Sequence, residues 1–222
     1  MQSHFFRAHR ILLWAALFTV ITNTGCNKES VVTPAPPGNE TLTTVELIYQ
    51  NTVNSSDTGR AIWRQLDLTG VNLPDTSAAI LNLKANSTYN AQVLILDEIS
   101  DAPNVDTISN EIKDRENYHL FFFQPEPISA SNLVISNTST DIPVEDGTVT
   151  SASGPYLNLV VTRTDLDTNN PPLQIGLTDK LTTGDASTGY VRVVLRHQPN
   201  AKNGTYAPGS TDFDGNFQVN IN

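Results

Sequence analysis

Short segments of alternating apolar and polar residues, separated by turn-forming residues, dominate the sequence after residue 42. Val45, Leu47 and Tyr49 occupy every second position, which is the period of a strand with one buried face. Further strand-like segments lie at 61–68, 80–83, 92–96, 118–123, 132–135, 148–150, 157–162, 173–177, 190–197 and 217–221. Clusters of Gly, Pro, Asn and Asp lie between them. The pattern predicts an all-β, immunoglobulin-like β-sandwich.

One segment has a helical period instead. Residues 107–115 place Ile108 and Ile112 four positions apart, with Ser109 available as an N-cap. Directly after it, residues 118–123 are apolar at every position but one, which predicts a central strand covered on both faces. We therefore expect at most one short helix among the strands.

The segment 124–131 offers a boundary, because Pro125 and Pro127 interrupt the strand pattern there. The length of the region 43–222 is compatible with one domain of good size or two small ones. We expect one elongated sandwich over 43–222, and two small β subdomains divided near 124–131 are the alternative.

The first 25 residues have the three parts of a secretory signal. Arg7 and Arg10 give a basic start, residues 11–21 are an apolar run, and small polar residues lead to Gly25. The run is shorter than the roughly 20 apolar residues of a membrane span. The sequence therefore predicts a signal peptide over residues 1–25.

Cys26, the only cysteine of the chain, follows this segment directly. Thr24-Gly25-Cys26 resembles a lipobox, in which the cysteine is acylated before cleavage, although Asn23 stands where an aliphatic residue is usual. A sole cysteine has no disulfide partner, and several acyl chains anchor a protein firmly. We predict lipidation at Cys26, and an ordinary signal peptide with an incidental cysteine is the alternative. Residues 26–42 are the lipidated cysteine and a flexible Pro-containing linker.

Charge restricts the classes of partner. Without residues 1–25, the chain has 11 basic and 23 acidic residues and a formal net charge of −12. An acidic exterior disfavours nucleic acid and anionic lipid as partners. The sequence also has no G-x-S-x-G elbow, no phosphate-binding loop and no recognisable catalytic triad. It predicts no catalytic residues and a protein that is not an enzyme.

Several segments resemble one family of small Bacteroidetes lipoproteins. They are residues 43–49, 85–98, 108–122, 164–177 and 181–221, and RHQPNAKNGTYAPG is the most specific stretch. The family has no established activity, its genes often lie beside TonB-dependent receptors, and some members carry the label "type 1 periplasmic binding". That label implies two lobes of alternating strands and helices, which the strand-rich sequence contradicts. The resemblance implies a lipid-anchored outer-membrane protein, on the periplasmic or the outer side, and a TonB-dependent receptor as partner.

Two histidines remain beyond the signal segment. His119 shares strand parity with Phe121 and Phe123, and His197 shares it with Val193 and Leu195, so both point to the inner face. Two inward imidazoles with a nearby carboxylate are ligands for a divalent transition metal. Hydrogen-bonded structural histidines are the alternative.

Asp165, Asp167 and Asn169 alternate as oxygen ligands do in a calcium loop. The loop lacks the glycine and the distal glutamate of an EF-hand, and Asx-rich turns also form without an ion. Asp212 to Asn216 is a similar segment that also favours a hairpin turn. We list Asp165, Asp167 and Asn169 with the two histidines as candidate metal ligands.

Three functional interpretations follow. The first is a non-enzymatic binding or accessory lipoprotein that works with a TonB-dependent receptor in nutrient or metal uptake. The second is a metal-binding protein that uses His119 and His197. The third is a structural or adhesive surface module without a small ligand. No cofactor other than a divalent metal ion is predicted.

Overall fold

A computed structural model describes residues 41–127 and 157–222 of the chain. These residues belong to one compact unit. They form eleven strands, one α-helix and one 3-10 turn. The strands are β1 (Thr44–Asn51), β2 (Thr58–Arg64), β3 (Asp75–Ala78), β4 (Ile80–Leu83), β5 (Thr88–Asp97), β6 (Asp106–Thr107), β7 (His119–Pro127), β8 (Leu159–Arg163), β9 (Thr178–Thr183), β10 (Ser187–His197) and β11 (Ser210–Ile221). The helix α1 spans Ile108–Asp114, and the 3-10 turn spans Glu116–Tyr118.

The strands form two sheets, which confirms the predicted all-β sandwich. The larger sheet has the order β3-β2-β1-β5-β9-β8, with β6 paired to β5, and the smaller has the order β4-β11-β10-β7. Neighbouring strands are antiparallel except β4 and β11, which are parallel. Inward-facing side chains of both sheets belong to one apolar cluster, as expected when two sheets pack face to face.

The predicted alternation of β1 is confirmed. Val45, Leu47 and Tyr49 are buried in the core, and Val191 and Val193 of β10 are buried opposite them in the smaller sheet. Burying one face of a strand requires an apolar residue at every second position, and this is the pattern on which the sandwich was predicted.

The strand predicted at 118–123 is covered on both faces, but it is not central. Phe121 and Phe123 join the core, whereas Leu120 and Phe122 form a second cluster on the outer face with Val194 and Tyr206. Among the strands of residues 41–127 and 157–222, β7 pairs only with β10 and lies at the edge of the smaller sheet. The covering comes from the loop that carries Tyr206, which local sequence does not reveal.

An edge position also explains how β7 contains prolines. Pro125 and Pro127 lie within the strand, and a proline is tolerated where its missing N–H faces away from the ladder. The predicted subdivision near 124–131 therefore falls partly on a continuous strand. The rest of it, 128–131, lies outside the described residues, as do the strands predicted at 132–135 and 148–150.

The helix prediction is confirmed, but the cap prediction is wrong. Ile108 and Ile112 are buried on one side of α1. The N-cap residue is Thr107, which makes no side-chain cap bond. The Ser109 hydroxyl instead accepts the backbone N–H of Ile95 at 2.6 Å, because α1 packs beside β5.

Two local predictions in the second half are wrong. Residues 173–177 form only an isolated bridge through Gln174. Gly176 has φ +89°, which interrupts an extended run, and a Cβ there would lie 2.8 Å from Cβ of Phe121. The segment from Asp212 to Asn216, predicted as a turn, lies inside β11. The burial of Phe213 and Phe217 on the core side outweighs the turn preference of Asp-Gly.

The predicted signal peptide, Cys26 and nearly all of the predicted linker lie outside the described residues. Within 41–127 and 157–222, no helix has the length and apolar character that crossing a membrane requires.

Candidate metal centre

The two histidines predicted from strand parity lie side by side. β7 begins at His119, β10 ends at His197, and the register pairs these two residues directly. Their rings are stacked, with centroids 4.8 Å apart and planes at 19°. The exposed fractions are 2% for His119 and 3% for His197. The pair is thus a buried cross-strand pair at one end of the smaller sheet.

The hydrogen bond of His119 fixes its tautomer. Nδ1 lies 3.1 Å from the carbonyl oxygen of Arg115. A carbonyl only accepts, so Nδ1 of His119 carries the proton, and Nε2 of a neutral ring keeps its lone pair. A histidine that ligates a metal is often held in this way, by a hydrogen bond from one ring nitrogen to a carbonyl.

His197 is less well satisfied. Its Nδ1 lies 3.7 Å from Oδ2 of Asp212, too far for a hydrogen bond. Its Nε2 is buried and has no hydrogen-bond partner. A buried polar atom without a partner costs roughly 1–3 kcal/mol, so the structure holds His197 in a position that hydrogen bonding alone does not explain.

Asp212 completes a group of three. One ligand atom from each of His119, His197 and Asp212 lies within 4.8 Å of the other two. The Asp212 side chain is 16% exposed. Two imidazole nitrogens and one carboxylate oxygen are a ligand set for Zn²⁺ and for Cu²⁺ or Ni²⁺, and the open positions would be filled by water or by a further group.

The sequence interpretation missed Asp212 as a partner of the histidines. In the ladder, Leu195 pairs with Phe213 and Arg196 pairs with Thr211, so Asp212 is the extra residue of a β-bulge. A bulge changes the direction of a side chain and breaks the two-residue period. A pattern read at strict period two therefore cannot place Asp212 beside His197. No local signal in the sequence marks the bulge.

The loop of residues 198–209 fixes the backbone of His197. The Arg196 guanidinium donates to the carbonyls of Pro208 and Gly209 at 3.1 and 2.7 Å and lies over the Tyr206 ring, 4.4 Å from its centroid. Gly209 has φ +80°, and a Cβ there would overlap the His197 carbonyl oxygen. Only glycine fits so close to the strand that carries the histidine.

A buried ion pair attaches the same loop to the elements around His119. Lys202 Nζ lies 2.8 Å from Oδ2 of Asp167, and the two side chains are 1% and 0% exposed. Lys202 also donates to the carbonyl of Glu116 at 2.9 Å. Burial lowers the pKa of Lys202, and the Asp167 carboxylate opposes that shift. The histidine pair is thus held on both sides by bonds to the 198–209 loop.

The other predicted ligands do not join this group. Asp165 accepts the N–H groups of Gly176 and Leu177 at 2.8 and 3.0 Å. Asp167 accepts the N–H of Leu173 at 2.8 Å, besides Lys202, and Asn169 donates to Asp167. Burial raises the pKa of Asp167, but these hydrogen bonds outweigh burial and hold it below its usual value. A calcium site at Asp165, Asp167 and Asn169 stays a prediction, and in the structure these carboxylates bind the protein itself.

Comparison with known proteins adds no relative: no family model, no curated protein and no solved structure matches the chain. The resemblance to small Bacteroidetes lipoproteins therefore stays a prediction.

Proposed function

We propose that the chain is a lipid-anchored, non-enzymatic protein that binds a divalent transition metal through His119, His197 and Asp212. The observation that carries the proposal is the buried, stacked histidine pair, in which Nε2 of His197 has no hydrogen-bond partner. An ion bound at this nitrogen would replace the missing hydrogen bond. A carboxylate beside two neutral imidazoles would also reduce the charge that the ion brings into the site.

The position of the ligands supports the same function. His119 is fixed by the Arg115 carbonyl, His197 by the bonds around Gly209, and Asp212 by the bulge in β11. Ligands held by rigid strands lose little freedom when an ion binds. A buried histidine with only a structural role would be expected to have both ring nitrogens hydrogen-bonded, and Nε2 of His197 has no such bond.

The cellular setting of the proposal comes from the sequence. The signal segment and Cys26 place the chain on a membrane surface of the envelope, and the family resemblance supplies a TonB-dependent receptor as partner. A protein that captures a metal ion beside such a receptor would raise the local concentration of the receptor's cargo. The net charge of −12 without residues 1–25 favours cations around the protein.

Calorimetric titration with ZnCl₂ tests the metal site. The full chain, expressed with its signal segment and purified in detergent, should bind one zinc ion per chain at micromolar protein. His119→Gln, His197→Gln and Asp212→Asn should each weaken binding by about 100-fold or more, which corresponds to roughly 2.7 kcal/mol. CaCl₂ should bind far more weakly, because calcium prefers an all-oxygen ligand set.

The matched control is Asp214→Asn. Asp214 also lies on β11, and its replacement by Asn removes the same charge as Asp212→Asn does. Unlike Asp212, it is exposed and pairs with Arg192. This variant should bind zinc as the wild type does. If the wild type gives no binding heat, or if the histidine variants bind as tightly as Asp214→Asn, the metal proposal is wrong and the pair is structural.

A further inference from the structure

Exposed apolar side chains concentrate at one end of the sandwich. Eight large apolar residues are exposed in the described part of the chain, and six of them lie in two loops, 65–74 and 98–105. They are Leu66, Leu68, Val71, Leu73, Ile99 and Val105. Val71 and Leu73 are 81% and 91% exposed. Scattered single apolar residues are normal on a surface, but a concentration of this kind marks an interaction site.

The two loops lie at the same end of the strands of the larger sheet. Thr44, at the start of β1, pairs with Arg64 at the end of β2 and with Leu96 near the end of β5. The loop 65–74 follows β2 and the loop 98–105 follows β5. The residue before β1 lies at this end too, because the backbone of Thr43 bonds to Gln65 and Leu96.

The 65–74 loop is ordered around its own polar groups. Asp67 accepts the N–H groups of Thr69 and Asn72 at 2.9 and 3.0 Å, and Gln65 Nε2 donates to the Asn72 carbonyl at 2.8 Å. The polar groups thus bond within the loop, while Val71 and Leu73 face solvent. Insertion of Val71 and Leu73 would therefore leave these hydrogen bonds intact, provided that the Asp67 carboxylate stays in water.

From these observations, together with the lipid anchor at Cys26 on which this inference rests, we propose that loops 65–74 and 98–105 insert their apolar side chains into the surface of the bilayer that holds the anchor. Cys26 and Leu42 are sixteen positions apart, and even a fully extended chain of that length spans at most about 55 Å. The tether therefore keeps the apolar end close to the lipid, and a short tether raises the local concentration of the two surfaces.

The charge of the loops specifies the kind of lipid. Neither loop contains Lys or Arg, and they carry Asp67, Glu98 and Asp101. Attraction to anionic headgroups is therefore not the driving force, and zwitterionic lipid is the expected surface. Insertion by apolar contact scales with buried apolar area, so the most exposed residues, Val71 and Leu73, should enter the lipid most deeply.

An environment-sensitive fluorophore on a single introduced cysteine tests the docking. The lipidated full chain is reconstituted into vesicles of phosphatidylcholine alone, with Val71→Cys or Leu73→Cys labelled. The matched control is Val53→Cys. Val53 is 95% exposed and follows β1 at the opposite end of the strands. The expected result is a blue-shifted emission, quenched by nitroxide-labelled lipid, at 71 and 73 and not at 53.

Each outcome decides a separate point. A probe at 71 and 73 that reports water, as at 53, overturns the docking, since pure lipid vesicles contain no receptor that could occupy the loops instead. The wild-type chain should not label at all, because its one cysteine carries the anchor. If it labels, the anchor is absent and the docking proposal falls with it. Neither result bears on zinc binding, which the titration measures independently.

Discussion

Asp179 is a carboxylate inside the sandwich. It is 3% exposed, and its Oδ1 has no hydrogen-bond partner. Arg163 is its register partner on β8, but Nη1 of Arg163 donates to the carbonyl of Phe121 at 3.0 Å. Burial raises the pKa of Asp179 well above its usual value, the charge of Asp165 adds to this, and Arg163 opposes it. The folded protein therefore favours the protonated carboxyl group.

This pKa shift gives stability a defined dependence on pH. The folded-state pKa lies above the unfolded one, so the contribution is fully present below about pH 4 and is lost as the pH rises through the folded pKa. Asp179→Asn imitates the protonated form. It should match the wild type at pH 4 and exceed its free energy of unfolding by about 1–3 kcal/mol at pH 8, measured by urea unfolding.

The control for this prediction is Asp114→Asn, which removes an exposed carboxylate at the end of α1. This variant should not show the gain in free energy of unfolding at pH 8 that is expected of Asp179→Asn. An Asp179→Asn protein that is less stable than the wild type at pH 8 would contradict the prediction and would mean that Arg163 requires the charged carboxylate.

At the scale of residues, strand parity predicted two of the three residues of the candidate metal site. His119 and His197 were placed on the inner face because each shares the period of apolar neighbours. That β7 and β10 are adjacent was not predictable, because strand order depends on contacts between distant segments. Asp212 was not predictable either, because the bulge at Leu195 and Arg196 breaks the period on which the inference depends.

The loop of residues 198–209 is the element that organises the candidate site. It covers Leu120 and Phe122 with Tyr206, and it carries Lys202 into a buried pair with Asp167. It has no regular secondary structure, so its conformation cannot be predicted from a hydrophobic period. The family-like stretch RHQPNAKNGTYAPG coincides with it, and in the structure its Arg196, Lys202 and Gly209 each make a specific contact.

Removing the positive charge of Lys202 should destabilise the whole protein. Lys202→Met leaves the Asp167 carboxylate buried without its ion-pair partner, a situation that costs about 3–5 kcal/mol. Lys180→Met, an exposed lysine on β9, should change the free energy of unfolding by less than about 0.5 kcal/mol. Urea unfolding measures both.

A double-mutant cycle separates the ion pair from simple loss of packing. Lys202→Met with Asp167→Asn should recover part of the lost stability, with a coupling of at least about 1 kcal/mol between the two positions. Additive effects would show that Lys202 stabilises the fold through its bond to Glu116 and its aliphatic chain alone.

Strands were predictable where one face is consistently apolar. β9 was not predicted, because its inner face is mostly polar. Its inward positions are Asp179, Leu181 and Thr183, and only Leu181 is apolar. Thr183 is buried because its hydroxyl donates to the Lys84 carbonyl at 2.6 Å. A strand whose inner face is satisfied by hydrogen bonds and a buried carboxyl group does not show the alternation that identifies β1 and β10.

At the scale of the whole molecule, the candidate metal site and the apolar loops lie at the same end of the sandwich. Trp63, near the end of β2, contacts Phe213 of β11 with ring centroids 4.9 Å apart. Asp212 precedes Phe213, and the 65–74 loop begins directly after β2. The carboxyl-terminal residue Asn222 bonds to Leu83 and Ala85 at the other end. An ion bound at the candidate site would thus lie at the end where the described part of the chain begins.

Under the proposed function, a membrane partner would receive the ion close to the bilayer. An affinity tag on Asn222 lies away from that end, so it should not disturb the contact. Pull-down of the tagged, lipidated chain from native membranes in mild detergent should recover a TonB-dependent receptor. Cys26→Ser would remove the proposed anchor and should lose the receptor, because the two proteins would no longer share a membrane surface. Recovery of the wild-type chain alone and monodisperse would contradict the partnership and would leave metal binding as the function of an isolated anchored protein.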